Sequence, residues 1–346
     1  MKKIFTILLI LSLIPIPATF LKAVDDISSG SSAGKFEKVG AAGAQFLKIP
    51  IGARGTGMAG AFGSVVNDLT CLYWNPAGIA KINDMSAHFS YSKWFAGFDH
   101  SFAAFALPLG DNFTTAVQFI SFGSSNIPVT TIDNPNGTGT YYSAQDMAIG
   151  ATFGGKLTDQ FTFGLTLKYV SNEFTDLTAT GIAFDIGTMY ETGIMGIRLG
   201  FSIHNLGLQM RYSGQDLNTT RKIWESLNAA PLDAQYLTSS YNMPLLFRAS
   251  ISSEIISDET NLLIGAFDFT THSDTKEQFA IGAEYTWNKL LSVRAGYRIG
   301  HDQFNIAAGV GINYVGGGFA GQIDYSLNPT FDLGLVHRIS VNLSIK

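Results

Sequence analysis

The sequence predicts an all-β fold: a fourteen-stranded antiparallel transmembrane β-barrel with an N-terminal plug inside its lumen. Three observations predict it. From residue 85 onward the chain runs in fourteen stretches that alternate apolar and polar residues; each stretch is about 9 to 14 residues long; and a glycine- and alanine-rich block without strand pattern stands ahead of them. A strand that crosses lipid at a tilt needs roughly 9–11 residues, whereas strands of soluble domains average about 5–6.

Composition agrees with a chain that faces lipid. Among 346 residues there are 37 glycines and 26 phenylalanines, and only 14% are charged, where a soluble surface requires nearer a quarter, ~25%. The net charge of -5 and the lack of a long basic run give no sign of a nucleic-acid or other polyanionic partner, and none is expected. Cys71 is the single cysteine, so no intrachain disulfide forms.

Residues 1–23 read as a signal peptide. Lys2 and Lys3 give the charged start, Ile4 to Ile14 the apolar stretch, and Ala18 or Ala23 a small residue for cleavage. The apolar stretch is well short of the ~20 residues of a membrane helix, and no cysteine near the cleavage region offers a lipid anchor. The expectation is export by a cleaved Sec signal to the outer membrane of a Gram-negative-type bacterium. Residues 24–39, polar and rich in serine and glycine, read as a flexible linker.

Residues 40–84 read as the plug. Small residues in GARGTGMAGAFG allow backbone to approach backbone, and Asn75-Pro76-Ala77-Gly78 sets a turn in which Pro76 lacks a donor. Gly55, Gly57 and Gly60 also spell G-x-G-x-x-G. That fingerprint binds dinucleotides only after a buried strand and ahead of an acidic residue about 20 positions on. Pro50 interrupts the preceding residues and Asn75-Pro76 stands where the acid is needed, so the glycines serve packing.

Residues 85–346 read as the barrel. The alternating stretches are 86–94, 99–108, 112–122, 145–155, 160–173, 178–190, 194–206, 244–256, 260–271, 277–287, 290–301, 303–315, 318–328 and 332–345. In Phe161 to Tyr169 the pattern is cleanest, with Phe161, Phe163, Leu165, Leu167 and Tyr169 on one face. Runs 99–108 and 260–271 alternate poorly. An even strand number puts both barrel ends on the periplasmic side, so connections after odd strands face outward. The two longest, 123–144 and 207–243, follow strands three and seven, and those after even strands are short.

By the same parity Asp185, Arg198, Arg248, Glu284, Arg294, Arg298 and Asp324 turn into the lumen, with Lys168, Glu254 and Arg338. Charges there suit a wet or plugged interior rather than a dry core. Arg54 of the plug is expected to pair with Asp185, Glu284 or Asp324. The 207–243 connection carries Arg211, Tyr212, Trp224, Tyr236 and Tyr241, a set suited to protein contact; the same residues also suit a loop that seals the mouth. His88, His100, His204, His272, His301 and His337 lack metal-ligand spacing, and no nucleophile elbow is present. No enzyme, metal site or cofactor is expected.

The block GARGTGMAGAF, then YWNPAG, then fourteen strand runs resembles the PorV/PorQ family of outer-membrane proteins, related in fold to FadL long-chain fatty acid transporters. It is most specific at Arg54, Gly55, Gly57, Met58, Gly60 and Trp74, Asn75, Pro76, Ala77 and Gly78. The resemblance implies a hatch bearing Asn-Pro-Ala within a fourteen-stranded barrel. It further implies a role in type IX protein secretion, with a translocon and the C-terminal signal domains of cargo as partners. The FadL side implies instead a channel for hydrophobic small molecules. The chain departs from the common barrel pattern at its end, Ser340 to Lys346, which lacks a terminal aromatic.

Overall fold

The computed structural model describes residues 42–222 and 230–345. The leader and linker expected over 1–23 and 24–39, and Trp224, lie outside the described residues.

Fourteen strands form the wall: β1 Met85–Lys93, β2 Phe98–Leu109, β3 Phe113–Ser124, β4 Ala144–Lys156, β5 Phe161–Phe174, β6 Leu177–Glu191, β7 Arg198–Gly207, β8 Leu246–Ser257, β9 Asn261–His272, β10 Gln278–Trp287, β11 Leu291–Ile299, β12 Ile306–Gly316, β13 Phe319–Pro329 and β14 Leu335–Ile345. Each pairs antiparallel with its neighbour in sequence, and β1 closes on β14 with Met85 opposite Ile345 and Lys93 opposite His337. Closure leaves no unpaired sheet edge, which is the condition for strands to stand in hydrocarbon. All fourteen expected stretches correspond to strands, including the two poorly alternating ones.

The side-chain alternation sorts the wall into two faces. In β1, Ser86, His88, Ser90 and Ser92 are buried inward, while Phe89 and Tyr91 are exposed outward. Aromatic residues gather where strands meet the short turns: Phe113, Phe153, Tyr190, Trp287 and Phe319. That placement matches the aromatic girdle of a barrel at a membrane interface.

The long connections, 125–143 and 208–245, follow β3 and β7 and share one end, the end that longer loops mark as outer in barrels of this kind. The second is partly folded. Tyr212–Gly214 adds to the edge of β6, and Asn218–Arg221 pairs with Leu232–Gln235. At the β6–β7 pair the register slips between Phe184 and Ile186, placing His204 and Asn205 opposite Asp185. Asn205 takes a positive φ of 61° in this bulge.

Residues 42–84 lie inside this cylinder. Hydrogen bonds reach them from around the wall: Thr114 of β3 to the Ile82 carbonyl at 3.0 Å, Asn328 of β13 to the Thr56 carbonyl at 3.0 Å, and Ser340 of β14 from the Ala53 amide at 2.6 Å. The plug contains two short helices, α1 Ala53–Gly57 and α2 Cys71–Trp74, and 3-10 turns at Gln45–Lys48 and Pro76–Lys81. Its apolar residues, among them Ile51, Met58, Phe62, Leu69 and Trp74, are almost fully buried and form the core of the molecule.

Candidate functional site

The Asn75-Pro76-Ala77-Gly78 turn is built as a helix start. The Asn75 side chain accepts from the Ala77 amide at 3.1 Å, with Pro76 in the first turn where its missing donor costs nothing. The Asn75 amide nitrogen donates to the Gly63 carbonyl at 3.0 Å and the Thr188 carbonyl of β6 at 3.2 Å. One side chain thus ties the turn to itself, to the preceding plug segment and to the wall.

Close approach explains the wall glycines. A Cβ at Gly164 would sit 2.2 Å from the Pro76 carbonyl oxygen, and one at Gly296 2.3 Å from the Met58 carbonyl carbon. Within the plug, Gly60 holds φ +88°, and a Cβ there would meet the Arg298 guanidinium at 2.2 Å. Met58 itself is fully buried, Gly57 lies against Gly309 of β12, and a Cβ at Gly55 would strike the Trp74 ring. Trp74 donates its indole N–H to the Ile51 carbonyl at 3.0 Å.

Arg54 reaches Glu284 of β10, one of its three expected partners, with Nη2 to Oε1 at 2.7 Å and Nε to Oε2 at 2.8 Å. It also pairs with Asp68 at 3.1 Å, donates to Asn67, and lies over the Phe62 ring at 5.2 Å. Glu284 in turn accepts from Arg294 at 2.5 Å, and Arg294 donates to Asp324 at 2.7 Å. The row Asp68, Arg54, Glu284, Arg294, Asp324 alternates in sign, so each buried charge has a neighbour of opposite sign. Burial alone would lower the Arg54 pKa, but Glu284 and Asp68 outweigh it and hold the pKa above its usual value. For Asp68, burial would raise the pKa; Arg54 and two hydrogen bonds from Thr70 outweigh it and the pKa falls.

The remaining lumen charges occupy other places. Asp185 sits in the wall bulge, taking Lys168 at 2.8 Å, the Asn205 amide at 2.8 Å and His204 at 3.3 Å. Arg198 pairs with Glu254 near the short-turn end. Arg248 donates to the Trp74 carbonyl at 2.5 Å, lies 4.9 Å from the Trp74 ring centre, and comes within 3.7 Å of Asp268. Arg298 donates to the Ala59 carbonyl at 2.8 Å. Among the described residues no carboxylate lies within 4.0 Å of a nitrogen of Arg298 or Arg338.

Of the loop residues, Arg211 and Tyr236 are exposed. Tyr212 and Tyr241 turn toward each other, ring centres 5.7 Å apart, and Tyr241 donates to Asn172 of β5 at 3.2 Å while its ring covers Gly43. These two half-buried tyrosines therefore pack over the plug at Gly43, beside β5, rather than offering a free surface. Among the described residues no group of three or more His, Cys, Asp or Glu is placed to hold a metal ion.

An open cavity of about 100 Å³ lies between the plug and strands β8 to β11 at the outer end, lined by Lys48, Tyr73, Trp74, Arg248, Phe279 and Arg298 among others. It does not touch Asn75 to Gly78. The sequence marks Arg248 and Arg298 as lumen charges and Trp74 as part of the plug motif, but gives no role to Lys48 or Tyr73, none beyond a rejected metal ligand to His272, and none to Phe279. The last two close the ends of wall strands, and nothing in period-two alternation marks which strand ends converge.

No family model and no curated protein matches the sequence. Solved structures do match the fold. The CymD monoaromatic hydrocarbon channel superposes with a TM-score of 0.56 at 12% identity, covering 86% of this chain and 98% of that one. The Ralstonia pickettii toluene transporter TbuX gives 0.53 at 12% identity, covering 86% and 98%. A Pseudomonas aeruginosa FadL homologue gives 0.52 at 12% identity, covering 85% and 97%. At these identities the likeness speaks to architecture: the chain has the fold of FadL-like outer-membrane barrels.

Proposed function

We propose that the protein is an outer-membrane conduit for small organic molecules, a FadL-like channel in which the plug gates the lumen. The observation that carries this reading is the cavity at the outer mouth, open to the outside and floored by plug residues Tyr73 and Trp74. A solute held there rests directly on the segment that would have to shift for it to pass. Likeness of fold to CymD and TbuX, named for monoaromatic hydrocarbons and toluene, supports a transport role rather than a catalytic one.

The reading tests by uptake. Cells of an outer-membrane-permeability-limited host carrying the protein should accumulate small labelled organic compounds faster than cells carrying the empty vector. Equal rates over a panel of neutral and charged compounds would overturn the proposal.

A second reading, handing on secreted cargo in type IX secretion as PorV/PorQ-like proteins do, draws on one observation. Leu208, Tyr236 and Leu237 of the long outer connection are 74%, 67% and 82% exposed, an apolar set a protein partner could cover. Co-purification of a translocon subunit or of C-terminal signal domains from solubilised membranes would favour it over solute passage.

A further inference from the structure

We infer that the outer cavity binds a compact aromatic carboxylate, with the charge held by Arg298 and Arg248 and the ring against Tyr73, Trp74 and Phe279. This deepens the small-solute reading and rests on it. The first support is uncompensated charge. Lys48 is matched by Asp274 at 2.9 Å, and Arg248 has Asp268 only at 3.7 Å. Among the described residues, the Arg298 side chain has the Ala59 backbone carbonyl as its single acceptor. Arg298 is half-buried, and a guanidinium drawn partly out of water without a counter-ion is costly; an anionic guest supplies one.

The second support is unused hydrogen-bonding capacity. Arg248 is 4% exposed and its Nε, 3.7 Å from Asp268, makes no hydrogen bond among the described residues, nor does Nδ1 of His272, 9% exposed; both residues line the cavity. A pure hydrocarbon would desolvate these groups without pairing them, a loss of about 1–3 kcal/mol for each group in general terms. A carboxylate pairs them. The aromatic walls decide the body of the ligand. Tyr73 and Trp74 already accept the Arg248 cation at 6.0 and 4.9 Å from their ring centres, and a flat ring fits beside them with its acid group on the arginines. One guanidinium lacking a carboxylate favours a single negative charge.

Calorimetric titration of the full-length protein in lipid nanodiscs with benzoate, toluene, decanoate and inorganic phosphate tests the inference. Benzoate should bind, Arg298→Gln should weaken it about tenfold or more, and Arg298→Lys should retain most of the affinity. Phe279→Ala, which leaves every charge in place, should weaken benzoate and not phosphate. Folding of each variant is checked by its heat-modifiable gel mobility. Toluene binding more tightly than benzoate would overturn the anionic ligand while leaving the small-solute reading intact. Phosphate binding as well as benzoate would overturn the aromatic body, and decanoate binding more tightly would overturn the compact one. No heat with any of the four overturns the inference, and the cellular uptake panel then judges the small-solute reading separately.

Discussion

Arg54 of the plug and Glu284 of the barrel wall clasp each other at two points, Nη2 to Oε1 at 2.7 Å and Nε to Oε2 at 2.8 Å, deep inside the lumen. A two-point guanidinium–carboxylate pair fixes direction as well as distance, so it ties the two parts of the molecule in one orientation. It also sits in the middle of a row of alternating charges, so its loss spreads to Asp68 on one side and Arg294 on the other.

Arg54→Met leaves Asp68 buried without its cation and Glu284 with one partner fewer. The expected cost is about 3–5 kcal/mol, the scale for breaking a buried pair from one side. Denaturant midpoints in lipid vesicles measure it. Arg54→Met with Glu284→Gln should cost less than the sum of the single changes, since the two residues share one interaction.

Asn75→Ala removes a helix cap and the amide that donates to a buried plug carbonyl and a part-buried wall carbonyl. The cap accounts for roughly 1 kcal/mol and each unpaired carbonyl for about 1–3 kcal/mol. In planar bilayers the variant should show more frequent open events than the unchanged protein, because the Thr188 contact is one of the ties between plug and wall.

Gly164→Ala places a methyl 2.2 Å from the Pro76 carbonyl oxygen. Overpacking of this kind costs about 1–3 kcal/mol, and here it falls between the two parts rather than within one. The expected outcome is faster proteolysis of the plug with the barrel fragment left intact on a gel.

Strand periodicity makes the wall legible in the sequence alone, since one face meets lipid and the other does not. The two faint stretches have a physical explanation. In β2 the inward residues include Phe102, Ala104 and Ala106, and in β9 Ile264 and Ala266, all buried inside the barrel. Both faces of these strands are therefore apolar and the alternation fades. The partner of Arg54 could be narrowed to three residues but not chosen, because the choice depends on where an irregular segment sits within the cylinder. Asp68 and the fit of Gly164 and Gly296 against plug backbone were illegible for the same reason: neither follows a period.

His301, in the connection between β11 and β12, accepts the amides of Gln303 and Phe304 at its Nδ1, at 3.1 and 3.2 Å. Burial first, then the nearby Arg298, pushes its pKa down to about 4, below the unfolded value of about 6.5. The folded state thus favours the neutral ring. Its stabilisation is complete above the unfolded value and is lost as pH falls toward 4, when the unfolded chain binds the proton first. Hydrogen exchange of residues 301–305, corrected for intrinsic rates, should accelerate between neutral pH and the folded pKa, and His301→Phe should abolish that pH dependence.

The central claim, that residues 42–84 fill a closed barrel, is tested most directly by the chain's own single thiol. Cys71 is fully buried in the plug, and burial pushes its pKa well above the usual thiol value. Reaction of the unaltered protein in lipid vesicles with a membrane-impermeant maleimide should leave Cys71 unmodified until heat unfolds the barrel, after which labelling should become stoichiometric. Rapid, stoichiometric labelling of the native protein would place the plug outside the cylinder and contradict the account.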